Sequence, residues 1–247
     1  MSYETTLLFN KNNLDEYLHA LAKEYKRVAG RNTPAEIVLV GGAAVLAGYG
    51  FRESTTDIDA FISAASAMKD AINRVRDRFQ LPEGWINTDF RKTESYSDKL
   101  LLHSKYYKTY LQVLNVRIVT GEYLIAMKMR AFREYKNDIS DIIGIIGEHA
   151  VRGEKLSFDQ IDHAIRELYG SREGILPEAK ELLKKALTFE NFSAQYELVR
   201  RNELAAKKTL LDFQEHYPEA LKKAGAREVL RTLREKRSQS NSEPTKE

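Results

Sequence analysis

Between Glu36 and Ile62 the chain reads EIVLVGGAAVLAGYGFRESTTDIDAFI, and this stretch restricts the fold more than any other. Residues 36–40, apolar from Ile37 to Val40, form a run of strand length that ends on two glycines, the signature of a buried strand. Gly41-Gly42 opens a short apolar helix from Ala43 to Tyr49, which Gly50 closes. After the polar loop from Arg52 to Thr56, residues 57–62 read as a second strand. Its period of two puts Asp57 and Asp59 on one face, with Ile58 and Ala60 on the other.

The remaining periodicity divides the chain. Asn13 with Glu16 three residues on marks a helix start, with Leu14, Leu18, Leu21 and Tyr25 on one face and Gly30 as its end. A helix is expected from about 65 to 79, then a long polar loop over 86–105 and a strand over 111–119. Thr120 caps a helix carrying Leu124, Met127, Met129 and Phe132, and a further helix covers 138–149. From Ser157 onward every periodic segment is helical: 157–169, 177–187, 193–217 and 218–237, each with a cap or a leading proline. The expected fold class is α+β. A small mixed β-sheet core with flanking helices fills residues 1–150, an all-helical region fills 151–237, and a polar, disordered tail fills 238–247.

Composition removes several functional classes. The 247 residues include no cysteine, which excludes disulfides and thiolate zinc sites. No apolar run approaches the ~20 residues that span a bilayer, and Met1-Ser2-Tyr3-Glu4 lacks the basic start of a signal peptide. No membrane association and a cytoplasmic location are expected. Residues 1–150 carry 20 basic and 19 acidic groups and residues 151–247 carry 19 and 17, so neither half is a broad cationic surface. Basic residues concentrate only over 222–237, where Lys222, Lys223, Arg227, Arg231, Arg234, Lys236 and Arg237 face two acids, Glu228 and Glu235.

The 37–62 stretch carries a chemistry that can be argued residue by residue. Carboxylates at i and i+2 of a strand lie about 7 Å apart along the backbone, a spacing that lets both ligate a divalent cation. A glycine pair between a buried strand and a helix lets backbone N–H groups approach a phosphate. Ser54, Thr55 and Thr56 add hydroxyls just before the carboxylates. Metal, phosphate cradle and hydroxyls together suit nucleotidyl transfer, in which a protein chiefly positions groups and neutralises charge. A third carboxylate is harder to place: Asp89 from the 86–105 loop and Asn115 from the following strand are the two candidates. Lys128 stands in an apolar helix face, a costly place for an ammonium unless it meets an anion. The alternative is a lysine that reaches solvent and pairs with Glu122 or Glu134. Tyr106, Tyr107 and Tyr110, interleaved with Lys105 and Lys108, suit base stacking or a sheet edge.

The Gly-Gly, short helix, Asp-x-Asp order resembles the nucleotidyltransferase superfamily, which has a DNA polymerase beta-like fold. It is especially similar to the AbiEii-type, minimal nucleotidyltransferase toxins, in which an Arg-x-Ser/Thr-x-Asp-hydrophobic-Asp run is typical. The stretches Glu122–Arg133 and Lys136–Ile142 resemble the lysine-, arginine- and aspartate-bearing helix pair of that group. The resemblance covers residues 36–146 and implies roles. Asp57 and Asp59 would hold Mg²⁺ or Mn²⁺, with Asp89 or Asn115 left as the candidates for a further ligand. Gly41, Gly42, Arg52, Ser54, Thr55, Thr56 and Lys128 would bind the nucleotide. Asp138 or Asp141 would orient Lys128, Arg133 or a nucleophile, placing Asp57, Asp59, Lys128, Asp138 and Asp141 in the catalytic set. The substrate would be an NTP, the acceptor an RNA such as tRNA, and the setting a bacterial toxin or phage-defence protein with a cognate antitoxin. Alternative readings are an enzyme acting on a small, antibiotic-type molecule and a degenerate fold that only binds nucleotide or a partner protein.

Overall fold

A computed structural model describes residues 8–240; the expectations for the extreme N-terminus and for 241–247 lie outside the described residues. The architecture is α+β, with five strands in one mixed sheet and ten helices among the described residues. The strands are β1 (Ala35–Leu39), β2 (Ile58–Ser63), β3 (Ile86–Asn87), β4 (Ser104–Tyr110) and β5 (Leu114–Val119), in the order β3-β2-β1-β5-β4. β1 pairs antiparallel with β2 and parallel with β5. The helix α2 (Gly41–Gly48) spans the tight connection from β1 to β2.

The first helix, α1 (Lys11–Ala29), begins three residues before the sequence signal. Asn10 is the cap, its side chain accepting from the Asn12 and Asn13 amides, while Asn13 reaches back to the Asn10 amide. Asn13 therefore closes the capping box instead of opening it. Phe9 precedes this cap and is fully buried, with its amide and carbonyl both bonded to Thr55 at 2.8 Å. That single bridge pins the 52–56 loop, and with it the approach to Asp57, onto the body of the protein.

The polar stretch 86–105 contains more structure than its composition indicates. After β3 come two 3-10 turns, Asp89–Lys92 and Asp98–Leu101, and then the edge strand β4. Leu111 and Gln112 take positive φ values of 49° and 60° between β4 and β5, with the Val113 amide bonded to the Tyr110 carbonyl at 3.1 Å. This is a two-residue hairpin turn built without glycine, so it is strained and carries no turn signature. Of the three tyrosines noted on sequence, Tyr110 is buried and donates to Asp15, whereas Tyr106 is exposed on the edge strand.

Helices α3 (Ala67–Phe79), α4 (Gly121–Ala131), α5 (Asp138–Val151), α6 (Phe158–Tyr169), α7 (Pro177–Ala186) and α8 (Phe192–His216) follow the expected periodicity. The last expected helix is two: α9 (Pro218–Ala224) and α10 (Ala226–Ser240), broken at Gly225 with φ 79°. Residues 238–240 continue α10 instead of starting a tail. One apolar core cluster draws residues from Phe9 to Ala186. A satellite cluster of Ala206, Leu210, Val229 and Leu230 ties α10 to α8. Among the described residues, no helix is long and apolar enough to cross a membrane.

Candidate functional site

The C-terminal end of β1 and the N-terminal end of β2 meet at one point because the strands run antiparallel: the Val40 amide donates to the Asp59 carbonyl at 3.0 Å. Gly41 follows with φ 52°, a left-handed conformation that favours glycine. A Cβ on Gly41 would meet Asp59 Oδ2 at 3.5 Å, so the glycine backbone and the carboxylate share one small space. At Gly42 a Cβ would fall 2.6 Å from Thr55 Oγ1 and 2.8 Å from Arg52 Nη2. No side chain caps the start of α2, so its leading amides are left to the cleft that Gly41 and Gly42 line.

Asp57 and Asp59 both line this cleft. Asp57, one residue ahead of β2, is exposed, and Asp59 is half-buried. Burial first, and then the neighbouring Asp57 charge, pushes the Asp59 carboxyl up to about 6. The smaller, Asp57 part of this rise is like-charge repulsion, which a cation held between the two carboxylates would remove.

The α4–α5 pair brings a buried charge network to the opposite wall. Asp138 has no exposed surface, and its oxygens accept from Lys128 Nζ at 2.9 Å, Arg133 Nε at 2.8 Å and the Arg133 amide at 3.1 Å. Asp141, 1% exposed, meets Lys128 at 2.8 Å and Arg52 Nη1 at 2.5 Å through a single oxygen; its Oδ1 has no hydrogen-bond partner among the described residues. Burial opposes the charge on Lys128, but Asp138 and Asp141 outweigh it and hold the ammonium above its usual range. Burial would likewise raise Asp138, yet Lys128 and Arg133 keep it well below the usual carboxylate range. Lys128 thus meets anions in the interior and does not reach out to Glu122 or Glu134. Three cations face two carboxylates, and the surplus positive charge lies toward Asp57 and Asp59.

The start of α5 is itself held from a distance. Glu203 on α8 accepts from the Ile139 amide at 2.9 Å, the Ser140 amide at 3.1 Å and the Ser140 hydroxyl at 2.6 Å. A carboxylate 63 or 64 positions along the chain from these donors serves as the N-terminal cap of α5. Burial pushes Glu203 up to about 7 despite these donors.

The other expected site residues divide. Arg52, Ser54, Thr55 and Thr56 line the cleft beside Gly42 and Asp57, in a volume of about 370 Å³. Arg52 is oriented by the Ser54 carbonyl as well as by Asp141. Asp89 lines the adjoining part of the cleft, but its carboxylate turns to Lys92 at 2.7 Å, and its amide is bonded to Asn87 Oδ1. It starts a 3-10 turn and does not converge with Asp57 and Asp59; among the described residues no group of three His, Asp or Glu side chains is placed to hold a metal. Asn115 accepts from Thr109 on the exposed side of β5. The register pairs Leu39 with both Ala60 and Ile118, so Val119 stands level with Asp59 and Asn115 sits four residues back, roughly 13 Å away. Arg200 and Lys207 on α8 line the cleft without any sequence signal, and Lys136 in the α4–α5 loop, which stands in the Lys136–Ile142 stretch, had no role assigned to it.

Beyond Thr93, Ser95, Ala131 and Arg133 the cleft continues into a groove of about 430 Å³, closed on its far side by Gly225, Arg227 and Glu228. Arg227 is anchored there by the Ala131 and Phe132 carbonyls at 3.2 and 3.3 Å.

No curated protein and no solved structure matches the chain. Residues 16–196 match a family described as nucleotidyltransferase of unknown function (DUF6036). That span is well over half of the sequence and contains Gly41, Gly42, Asp57, Asp59, Lys128, Asp138 and Asp141, so the chain belongs to this nucleotidyltransferase family.

Proposed function

We propose that the chain transfers a nucleoside monophosphate from an NTP to an acceptor hydroxyl and releases pyrophosphate. The observation that carries this reading is the meeting, in one cleft, of the Gly41–Gly42 turn, the Asp57–Asp59 pair and the Lys128–Asp138–Arg133 network. In the reaction the acceptor oxygen bonds to the α-phosphorus and the bond from that phosphorus to the α–β bridging oxygen breaks. The electron pair leaves with pyrophosphate, and the hydroxyl proton passes to water.

The residues fit a divalent cation of the Mg²⁺ or Mn²⁺ type, held by Asp57 and Asp59. Mg²⁺ sites commonly take one or two carboxylates and complete their shell with water and substrate phosphate oxygens, so two protein ligands suffice. When bound, such an ion would supply charge neutralisation at the phosphates. The protein's own residues perform the rest. The amides of the glycine turn hold phosphate oxygens, and the net positive charge of the Arg52–Lys128–Arg133 network stabilises charge building on the leaving group. Asp138 and Asp141 fix Lys128, Arg133 and Arg52 in place. That arrangement is ready before substrate arrives, so little reorganisation is needed during the reaction.

The groove past Thr93 and Ser95 is the entrance we assign to the acceptor. An RNA is the class implied by the AbiEii-type resemblance, and Arg227 at the start of α10 lines this groove as a cation for its backbone. The test is incubation of the protein with each labelled NTP, Mg²⁺ and total RNA, followed by gel separation. Label should appear in RNA with the wild type and fall by at least about 10²-fold with Asp59→Asn, given the scale on which removal of a charge-stabilising group acts. Label retained by Asp59→Asn would overturn the reading; label in a small-molecule fraction alone would replace RNA by a small acceptor.

A further inference from the structure

The cleft in front of Asp57 holds more positive charge than its carboxylates use. Asp138 and Asp141 engage Lys128, Arg133 and Arg52. Farther out on the same wall stand Lys136, Arg200 and Lys207. Lys136 and Lys207 form no ion pair among the described residues. Arg200 has only a long contact of 3.9 Å to Glu203, whose oxygens are already committed to the start of α5.

Exposed lysines normally turn away from one another into water, and a concave surface that gathers them concentrates positive potential. Arg200 and Lys207 are seven residues apart, so they lie on one face of α8, about 10 Å apart along its axis. Leu204 lines the cleft between them. Such a spread suits an extended anion with several charges better than a single phosphate. The apolar Leu204 gives no hydrogen bonds to a sugar edge, and the rail begins beside the Gly42, Thr56 and Asp57 corner.

We infer that Lys136, Arg200 and Lys207 form a polyphosphate subsite that grips the β- and γ-phosphates of the incoming nucleotide. The inference rests on the nucleotidyl-transfer reading and deepens it in two ways. It orients the substrate, with the triphosphate running from the glycine turn toward α8 and the opposite groove left for the acceptor. It also assigns the choice of triphosphates over monophosphates to a helix most of which, residues 197–216, follows the segment that matches the family. Departing pyrophosphate, which carries the electron pair of the broken bond, stays next to the same cations.

The subsite can be measured without catalysis. Inorganic tripolyphosphate, ATP and AMP are titrated into the full chain at low salt, with Mg²⁺, by calorimetry. Lys136→Ala/Lys207→Ala should bind tripolyphosphate and ATP at least about tenfold more weakly, the loss expected for two charge-assisted contacts, and AMP within about twofold of wild type. Both side chains lie at the surface, so the double variant should melt with the wild type, and Lys207→Ala alone should show an intermediate loss. Unchanged tripolyphosphate affinity, or AMP weakened as much as ATP, overturns the proposal. A short RNA weakened by the variants while tripolyphosphate is unaffected also overturns it, by reassigning the rail to nucleic acid. Failure of the transfer reading would appear elsewhere, as retained labelling by Asp59→Asn, so the two can fail separately.

Discussion

Asp138→Asn is the substitution that most directly tests the charge network. The wild-type carboxylate is fully buried and accepts from Lys128 Nζ, from Nε and Nη2 of Arg133, and from the Arg133 amide. Asparagine keeps one acceptor oxygen and turns an NH₂ group toward a cation. About two charge-assisted bonds are lost, each contributing about 1.5–3 kcal/mol. Lys128 keeps Asp141, which limits the damage, so the expected loss is about 3–5 kcal/mol, the range for breaking a buried ion pair. For a protein of this size that is a drop of roughly 10 °C in Tm. The pH dependence has a definite sign. Asp138 has a depressed folded-state pKa, so its stabilisation is present above the unfolded-state value near 3.9 and is lost as pH falls below it. The gap between wild type and variant in urea unfolding should therefore be flat from pH 5 to 8 and shrink by about 1 kcal/mol by pH 3. A gap under about 1 kcal/mol at pH 7, or one that stays constant to pH 3, would refute the assignment of Asp138 as the ionised centre of the network. Lys128→Met added to Asp138→Asn should cost less than the sum of the two single changes, because they share one interaction.

Glu203 is the opposite case: its carboxyl is raised to about 7 from 4.5, so between these values the folded protein keeps a proton that the unfolded chain has released. Stability should fall by about 3 kcal/mol as pH rises through that window, and Glu203→Gln should flatten this component; parallel unfolding curves for the two proteins would contradict it. Gly42→Ala places a methyl group against Thr55 Oγ1 and Arg52, and Arg52 is held by Asp141 and the Ser54 carbonyl, so the neighbours yield with difficulty. A loss of about 1–3 kcal/mol by thermal melting and weaker ATP binding are expected, and unchanged values of both would show that the turn has room to spare.

How much of this was legible in the sequence depends on how local each signal is. Gly41, Gly42, Asp57 and Asp59 lie within twenty positions and are linked by one short helix, so strand periodicity alone brought them to one end of a sheet. Lys128 was readable for a different reason: a charge on an apolar helix face requires an anion, and Asp138 and Asp141 supply it from the next helix. The nucleotidyltransferase fold class followed from those two stretches, and the five-stranded mixed sheet agrees with it. β4 escaped because an edge strand with one side in water needs no apolar alternation; Lys105 and Tyr106 are exposed, and the hairpin that follows uses Leu111 and Gln112 where glycine would have announced a turn. Gly225 divided the last helix because a single glycine at positive φ outweighs a periodic pattern on both sides.

Asp89 and Glu203 show where local reading stops. Asp89 had the right chemistry at a plausible distance from the strand, yet its backbone begins a 3-10 turn and its carboxylate has a nearer cation in Lys92. Nothing in the sequence around either residue separates a ligand from a surface ion pair. Glu203 sits in a helix rich in alternating charges, where a glutamate ordinarily faces solvent. It becomes the cap of α5 because α8 packs along α5, with Tyr196 and Val199 set against the main core, which brings Glu203 to the amides of Ile139 and Ser140. The same packing carries Arg200 and Lys207 to the rim of the cleft. The part of the site that chemistry alone could find is thus the part built on adjacent strands and helices, whereas the part that sets charge at the rim depends on a helix docking more than sixty positions away. On the polyphosphate subsite proposed above, a change of sequence in α8 retunes which anions the cleft accepts while leaving the Asp57–Asp59 pair and its glycine turn untouched.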